Sequence, residues 1–578
     1  MLIIAKKIKQ MKMKNLKLAV ILLAITGLSS LNSCTTIKDL EYSVKENPLQ
    51  MHGGEVSLKI DAKFIEKGLN PKATADITPI FICADGTEIP FTTEMYQGEK
   101  AAGNGKVVPK TGLTFTYEST IPYQKCMKEG AIKVRVLAKK GKKEEEILTD
   151  KIADGTIITP LLATKDAQVI MNEDNSFTRT TSEQMAAVIN FNKGKFNVKT
   201  SELKDQDITD LNTFALESST SPRFEMKSVA IQSFASPEGE IDKNDNLAKD
   251  RGDAAKTTLI KLMKKNKIEA AQAESFYTVS PKGEDWAGFK VEVEKTTHED
   301  KELILRVLQM TADLNKREQE IRNMAKTYTF LEKEVLPQLR RSQITLSYDK
   351  VGYSDAELKE LSKSNPDTLI LDELLFTATL YTDLGEKTRV YTETERLFPS
   401  DWRAINNLGY ILYMQGDVDG AATKFEKAKE ITTNATINNN LGAIAQMKGD
   451  NEKAMEFYNE AGSSSETKYN TGVIKIKAGL YDEAVENMGE NKTFNSALAA
   501  LLSGDAEGCV QILDASNVKE EAMSYYLKAI AGSRTNNSTA LIDNLKLAFE
   551  KDSSLKEAAK VDREFIKFFE NADFLAIF

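Results

Sequence analysis

The chain has 578 residues, enough for about four domains of ordinary size. Its apolar content of 41% is typical of an ordered globular protein. Only two His and four Cys are present, which argues against a multi-histidine metal site, since catalytic zinc takes about three protein ligands. The composition therefore favours a binding or scaffolding protein, and we expect no enzyme activity, no cofactor and no metal.

The first 33 residues have the layout of a signal peptide. Six Lys precede the apolar run 18–28, which is shorter than the roughly 20 residues that a bilayer-spanning helix needs. The sequence Leu31-Asn32-Ser33-Cys34 follows and resembles a bacterial lipobox. This resemblance implies that residues 1–33 are a lipoprotein signal peptide, that Cys34 carries acyl chains such as palmitate, and that 34–44 is a lipidated linker. A short membrane anchor and a plain secretory signal are the alternatives.

The charge of the mature chain excludes one class of partner. Without the first 33 residues, which hold six Lys and no acidic residue, 71 basic residues stand against 86 acidic ones, a net charge of −15. Binding to nucleic acid depends on an excess of Lys and Arg at the phosphates. We therefore expect no nucleic-acid partner.

Residues 45–165 have the pattern of a β-sandwich. The segment Glu55–Phe64 alternates apolar and polar side chains with period two, as a half-buried strand does. Further short strands separated by turn sequences are predicted at 77–83, 87–93, 112–119, 131–140 and 145–152. Strands at this spacing suggest a sandwich of immunoglobulin-like type.

Two cysteines, Cys83 and Cys126, lie in this predicted sandwich. A secreted or envelope protein folds in an oxidising compartment, where disulfides form and persist. The two residues are candidates for a disulfide, and two buried free thiols are the alternative, because the sequence does not fix their distance.

Residues 180–350 mix strands and helices and resemble the OmpA-like C-terminal domain, a peptidoglycan-associating module of bacterial envelopes. The resemblance depends on residues at the family's spacing: Phe234–Gly239, Asn244, Leu247, Arg251 and the pair Arg340-Arg341. It implies an α+β domain, in which the helical stretch near 298–337 is an insertion.

The same resemblance implies that Ser236, Asn244 and Arg251 lie at the family's site for the peptidoglycan stem. The family uses an Asp where this chain has Ser236, and a hydroxyl supplies no countercharge to the ligand's ammonium group. Glu238 is expected to point elsewhere. The sequence therefore leaves peptidoglycan binding doubtful, and a structural role for Arg251 is the alternative.

Residues 365–578 contain an internal repeat. Leu408-Gly409 recurs as Leu441-Gly442 and Gly416-Asp417 as Gly449-Asp450, with an offset of 33; later copies follow at offsets of 30 and 25. The pattern resembles a tetratricopeptide-repeat array, which is an all-α solenoid. The apolar tail 565–578 is expected to cap the array, and an exposed docking peptide is the alternative.

Asparagines mark two successive repeats. Asn406, Asn407, Asn438, Asn439 and Asn440 lie on the predicted first helices. An Asn side chain offers a donor and an acceptor together, so these residues are candidates for clamping an extended peptide on the concave face. Their alternative role is that of ordinary helix-surface or turn residues.

The sequence as a whole predicts a multidomain, non-enzymatic scaffold. The features together resemble outer-membrane lipoproteins of Bacteroidota-type bacteria. That resemblance implies an outer-membrane protein anchored through Cys34, in either leaflet, that binds envelope or outer-membrane proteins through its repeats, as an accessory part of an outer-membrane complex. The main alternative is a peptidoglycan-binding tether; a hydrolase finds no support in the sequence.

Overall fold

The computed structural model describes residues 36–38 and 40–578. The predicted signal peptide and Cys34 lie outside the described residues, as do parts of the predicted linker. The chain divides into two compact units: one joins the residues before Glu173 to Pro399–Phe578, and the other is Glu173–Phe398. The domain boundaries read from the sequence remain predictions.

The N-terminal part of the first unit is made of two β-sheets. One contains β1 to β3 and β8; the other contains β4 to β7 and β9 to β11. The strands are β1 Leu40–Val44, β2 Met51–His52, β3 Glu55–Phe64, β4 Thr74–Cys83, β5 Glu88–Pro90, β6 Glu94–Gly98, β7 Lys106–Val108, β8 Leu113–Pro122, β9 Gly130–Lys140, β10 Lys143–Leu148 and β11 Ala153–Asp154.

The alternation in β3 explains how the sheets pack. Its even-numbered residues from Val56 to Phe64 are buried, while most of the others face solvent. One core cluster joins Val56 and Leu58 of β3 to Phe81 of β4 and Ile132 of β9, so it contains residues of both sheets. Burial of these apolar side chains is the main stabilising term for such a pair of sheets.

Helical hairpins form the C-terminal part of the same unit. The helices are α11 Trp402–Met414, α12 Val418–Ile431, α13 Ala435–Lys448, α14 Asn451–Ala461, α15 Ser465–Lys477, α16 Tyr481–Met488, α17 Phe494–Leu502, α18 Ala506–Asp514, α19 Ala522–Arg534, α20 Ser538–Lys551, α21 Leu555–Val561 and α22 Ala572–Leu575. The predicted helical repeat is thus confirmed as a tandem array of helix pairs.

The repeated Gly-Asp sequence forms the turn inside three of the hairpins. Gly449 ends α13 with φ +88°, a left-handed conformation that glycine adopts without strain. Asp450 then caps α14 by accepting a hydrogen bond from the Lys453 N–H. Gly416-Asp417 and Gly504-Asp505 repeat this arrangement.

Small residues allow the two helices of a hairpin to approach closely. A Cβ added at Gly409 of α11 would lie 2.7 Å from a ring carbon of Phe425 on α12, well inside contact distance. Gly442 and Tyr458 repeat this contact in the next hairpin. The spacing of glycine and aromatic residue in the sequence therefore has a direct packing cause.

The second unit contains a four-stranded sheet in the order β12, β15, β13, β14. Its strands are β12 Thr180–Asn190, β13 Phe224–Ala235, β14 Tyr277–Glu284 and β15 Arg341–Val351. Neighbours pair antiparallel except β13 and β14, which are parallel and are joined through a helix.

The helices of the second unit are α1 Gln206–Thr220, α2 Ile241–Lys265, α3 Trp286–Lys295, α4 Lys301–Met310, α5 Leu314–Asn323, α6 Ala325–Phe330, α7 Leu336–Leu339, α8 Asp355–Ser364, α9 Leu371–Thr379 and α10 Leu384–Leu397. The stretch near 298–337, predicted as one long helical region, is broken into the short helices α4 to α7 with a π-helical turn at Leu331–Val335. They pack around a separate small core that includes Phe289 and Leu331.

Candidate peptide-binding site on the helical repeats

An extended segment of the chain lies along the first helices of the hairpins. Residues 164–172, which we call the strap, follow a short 3-10 helix, Thr159–Leu162, and have no regular secondary structure. The strap contacts α11, α13, α15 and α17, all within the first compact unit.

One asparagine on each of these four helices binds the strap backbone in the same way. Asn440 accepts a hydrogen bond from the Ile170 N–H at 2.7 Å and donates one to the Ile170 carbonyl at 2.9 Å. The same two-bond contact joins Asn407 to Asn172, Asn470 to Gln168 and Asn495 to Thr164. We call Asn407, Asn440, Asn470 and Asn495 the asparagine ladder.

The geometry resembles the edge of a β-sheet. In an extended chain, the N–H and C=O of alternate residues point to the same side. The ladder contacts Gln168, Ile170 and Asn172, so successive hairpins advance by two strap residues. Each side-chain amide thus supplies the donor and the acceptor that a neighbouring strand would supply.

A second row of side chains completes the contact. Asn439 donates to the Gln168 carbonyl at 2.9 Å, and Asn406 donates to the Ile170 carbonyl at 3.1 Å. Amides of the two rows also bond to each other, as Asn440 does to Asn406 at 2.9 Å. Because Asn406, Asn407, Asn439 and Asn440 are buried, these bonds satisfy polar groups that would otherwise be costly to bury.

Two further carbonyls of the strap accept bonds from larger side chains. Tyr413 donates to the Ala167 carbonyl at 2.8 Å, and Gln446 donates to the Asp166 carbonyl at 3.0 Å. Burial raises the pKa of the Tyr413 phenol to about 12, which keeps its hydroxyl protonated as a donor at physiological pH.

Of the five asparagines singled out from the sequence, four contact the strap and one does not. Asn406, Asn407, Asn439 and Asn440 all contact the strap. Asn438 is buried on the same helix but makes no contact with the strap among the described bonds, and its carbonyl oxygen has no hydrogen-bond partner there.

Sequence reasoning missed Asn470 and Asn495. The signal that would have found them is the repeat itself, because they follow Asn440 at offsets of 30 and then 25, the offsets of the later copies. Each stands alone in the sequence, whereas Asn406-Asn407 and Asn438–Asn440 form runs.

The sandwich cysteines are joined. Cys83 at the end of β4 and Cys126 in a short 3-10 helix form a disulfide, with their Cα atoms 5.6 Å apart. Of the described cysteines, Cys509 is free and buried. Burial raises the pKa of its thiol to about 12.

In the second unit, the Arg251 side chain is buried and hydrogen-bonded to the backbone. It is fully buried and donates to the carbonyls of Lys195, Phe234 and Asn192 at 2.9 to 3.2 Å. Burial, followed by the charge of Arg340, lowers its pKa to about 10. These contacts favour the structural role of Arg251, since three nitrogens of its guanidinium already have acceptors.

The other two residues of that predicted site also contact protein groups. Ser236 donates to the Glu238 carboxylate at 2.6 Å, and Asn244 donates to Glu284 at 2.8 Å. The expectation that Glu238 points elsewhere is wrong: the loop turns its carboxylate back onto Ser236, where Arg340 pairs with it at 2.7 Å. The Ser-x-Glu sequence thus places a carboxylate beside Ser236.

The described residues hold neither a membrane-spanning helix nor a metal cluster. None of the helices in this part of the chain has the length and apolar character that a bilayer crossing requires. Within residues 36–38 and 40–578, no three His, Cys, Asp or Glu side chains come together as a metal ion would require.

Comparison with known proteins gives partial matches. No family model matches the chain. It is 28% identical over 110 residues to BBSome complex member BBS4 of Bos taurus, a match that spans 18% of this chain and about a fifth (21%) of that relative.

Two solved structures are similar to parts of the chain. The APC/C hetero-tetramer Cut9-Hcn1 matches 56% of this chain and 77% of its own, at 13% identity and a TM-score of 0.30. A tetratricopeptide repeat protein from Parabacteroides merdae ATCC 43184 matches 39% of this chain and 95% of its own, at 20% identity and a TM-score of 0.24.

Proposed function

We propose that this protein is a non-enzymatic scaffold whose helical array binds extended polypeptide. The asparagine ladder is the observation that carries the proposal. It hydrogen-bonds to both the N–H and the C=O of alternate residues, and any extended chain offers these backbone groups. We further propose that the array is of tetratricopeptide type, that the two sheets form an immunoglobulin-like sandwich, and that residues 180–350 of the second unit are an OmpA-like domain.

The proposed location is the outer membrane, with a lipid anchor on Cys34. The support is the leader and the lipobox resemblance, together with the disulfide between Cys83 and Cys126, which suits an oxidising compartment. Several acyl chains on one cysteine anchor a protein stably, since each buried CH₂ contributes about 0.8 kcal/mol. In this location the scaffold would hold envelope proteins as an accessory part of an outer-membrane complex.

Cell fractionation tests the anchor. Changing Cys34→Ala should move the protein from the membrane fraction to the soluble envelope fraction. The matched control is Cys509→Ala, which removes a buried thiol far along the chain and should leave the protein on the membrane. A Cys34→Ala protein that stays fully with the membrane contradicts the proposed anchor.

Cross-linking in intact cells tests the scaffold. Photo-cross-linkers placed on exposed positions of the array, such as Met414 and Leu480, should capture other envelope proteins. The controls are the same probes at exposed positions of the sandwich. Equal or absent capture at both places contradicts a partner-binding role for the array.

Purified peptidoglycan sacculi separate the scaffold from the tether. Arg251 would have to leave three carbonyls to reach a ligand carboxylate, so we expect sacculi not to retain the protein. Retention that is lost in Arg251→Ala would favour the tether instead.

A further inference from the structure

The asparagine ladder is already filled, and its occupant belongs to the same chain. The paired ladder bonds to the strap end on backbone N–H and C=O groups of residues 164–172, and Asn495 also donates to the Asp166 side chain. A groove that recognises backbone would accept other extended segments, because every residue except proline carries the same N–H and C=O. The strap is thus a tethered occupant of a general site.

Two strap positions add sequence preference to this backbone recognition. The Asp166 carboxylate accepts hydrogen bonds from Tyr469 at 2.7 Å, from Thr164 at 3.1 Å and from Asn495. Ala167, the next residue, is buried, so its position accepts a small side chain. The groove therefore fits an extended segment in which an acidic residue is followed by a small one.

The strap is attached in a way that permits its release. Ala167 is the one apolar strap residue that is buried, and Val169 packs partly buried against the hairpin core. The other described contacts of the strap with the first helices are hydrogen bonds to side chains. The hairpins keep their own apolar core, which includes Phe425, Ile437 and Leu441, when those bonds are broken. Segments with few buried apolar contacts are the ones that open locally while the rest of a fold persists.

The groove also has a part that the strap does not fill. A cavity of about 360 Å³ lies beside Thr164 and Asp166, between the start of α17 and the loop before α19, and is lined also by Phe494 and Glu521. This is the end where the strap advances by four residues, from Thr164 to Gln168, over one repeat. An incoming segment can begin to bind there before the strap has left.

We propose that the asparagine ladder is a peptide-binding groove which the strap fills in cis, and that a partner protein enters it by replacing the strap with an extended segment of its own bearing an acidic residue followed by a small one. This deepens the proposed scaffold function and rests on it. The strap then limits partner binding, because a tethered occupant competes at an effective concentration of about millimolar.

A peptide-exchange experiment tests the proposal on the mature chain without its lipid. The probe is a fluorescein-labelled, end-capped peptide with the sequence of residues 163–172, followed by fluorescence anisotropy. In one variant a Gly/Ser segment of equal length replaces residues 164–172. That variant should bind the peptide saturably. The affinity of the unaltered chain for the peptide should be lower by about tenfold or more.

Matched changes on both sides locate the binding. Adding Asn440→Ala and Asn470→Ala to the strap-replaced variant should weaken binding by about tenfold or more, as should Asp166→Asn in the peptide. Asn438→Ala is the control on the same helix and should leave binding unchanged, since Asn438 has no described bond to the strap. Binding that survives the double change, or is equal with and without the strap, overturns the proposal.

A proteolysis experiment on the unaltered chain tests the proposal even if the strap-replaced variant does not fold. Trypsin cleavage after Lys165 reports release of the strap. A millimolar excess of the 163–172 peptide, made with Lys165→Gln so that it resists cleavage, should accelerate that cut. An unchanged cleavage rate overturns the replacement of the strap by a partner segment. So does a native chain that elutes from gel filtration as a dimer in which each copy's strap fills the groove of the other. Each of these results leaves the scaffold proposal to its own cross-linking test.

Discussion

The asparagine ladder makes a quantitative prediction for Asn440→Ala. The change removes the hydrogen bonds to the N–H and C=O of Ile170, at 2.7 and 2.9 Å. A hydrogen bond of this kind contributes about 0.5–1.5 kcal/mol net, so the strap should lose about 1–3 kcal/mol of attachment. Asn406 still donates to the Ile170 carbonyl, which keeps the expected loss below that of an unpaired buried group.

Limited proteolysis measures this loss directly. A loss of about 1–3 kcal/mol raises the population of the released strap by roughly 5- to 150-fold, since each 1.4 kcal/mol is tenfold. When opening and closing are fast compared with cleavage, the rate of cutting follows that population. Trypsin should therefore cut after the exposed Lys165 faster by a factor in this range, measured by mass spectrometry of the 165/166 cut.

The neighbouring asparagine supplies the control. Asn438 lies on the same helix and is buried to a similar degree, but has no described bond to the strap. Asn438→Ala should not selectively speed the cut after Lys165. Equal acceleration in the two variants would show that the ladder does not hold the strap, and the reasoning from hydrogen bonds would fail.

Three further predictions concern the array. Deleting residues 559–578 should lower the melting temperature and cause aggregation, because it removes Phe565, which is fully buried against the last hairpin. Gly442→Ala should cost about 1–2 kcal/mol in urea denaturation. A Cβ there would lie 2.4 Å from a ring carbon of Tyr458, which places the overpacking cost at about 2–3 kcal/mol, and the better helix propensity of Ala offsets about 1 kcal/mol. Cys509 should resist iodoacetamide at pH 8 in the folded chain and react in urea, because burial raises its pKa to about 12 and suppresses the thiolate.

Each of these has an outcome that would contradict it. A truncated chain that stays monomeric and melts unchanged would show that the tail is not a cap and would revive the docking-peptide alternative. An unchanged urea midpoint for Gly442→Ala would mean that the hairpin can relax around a methyl group. Rapid modification of Cys509 under native conditions would show that the packing around α18 opens easily.

Periodicity explains why much of the fold could be predicted. The alternation of Glu55–Phe64 matches strand β3 residue for residue, because period two is what burial of one face imposes. The offsets of 33, 30 and 25 in the repeat region match successive helical hairpins, since these four hairpins share a glycine at the turn and a small residue, Gly or Ala, where the helices approach most closely. These features depend on residues that are close together in the chain, so they produce a recognisable sequence pattern.

Other features depended on distances that no local pattern fixes. The pairing of Cys83 with Cys126 required the end of β4 to meet a 3-10 helix 43 residues later. The burial of Arg251 among three carbonyls required one loop and one strand to converge on one helix. The turn of Glu238 back onto Ser236 depended on Arg340, which lies about a hundred residues further along the chain.

The candidate site shows this division most clearly. The sequence by itself determined the helical repeats and pointed to the asparagines on their first helices, and its own offsets lead from Asn440 to Asn470 and Asn495. Only the tertiary structure decided what those asparagines hold, because the strap lies 235 to 331 positions away in the chain from the ladder residues that bind it. The ladder contacts main-chain N–H and C=O groups, which nearly every residue carries, so the segment that fills the groove leaves no distinctive sequence pattern.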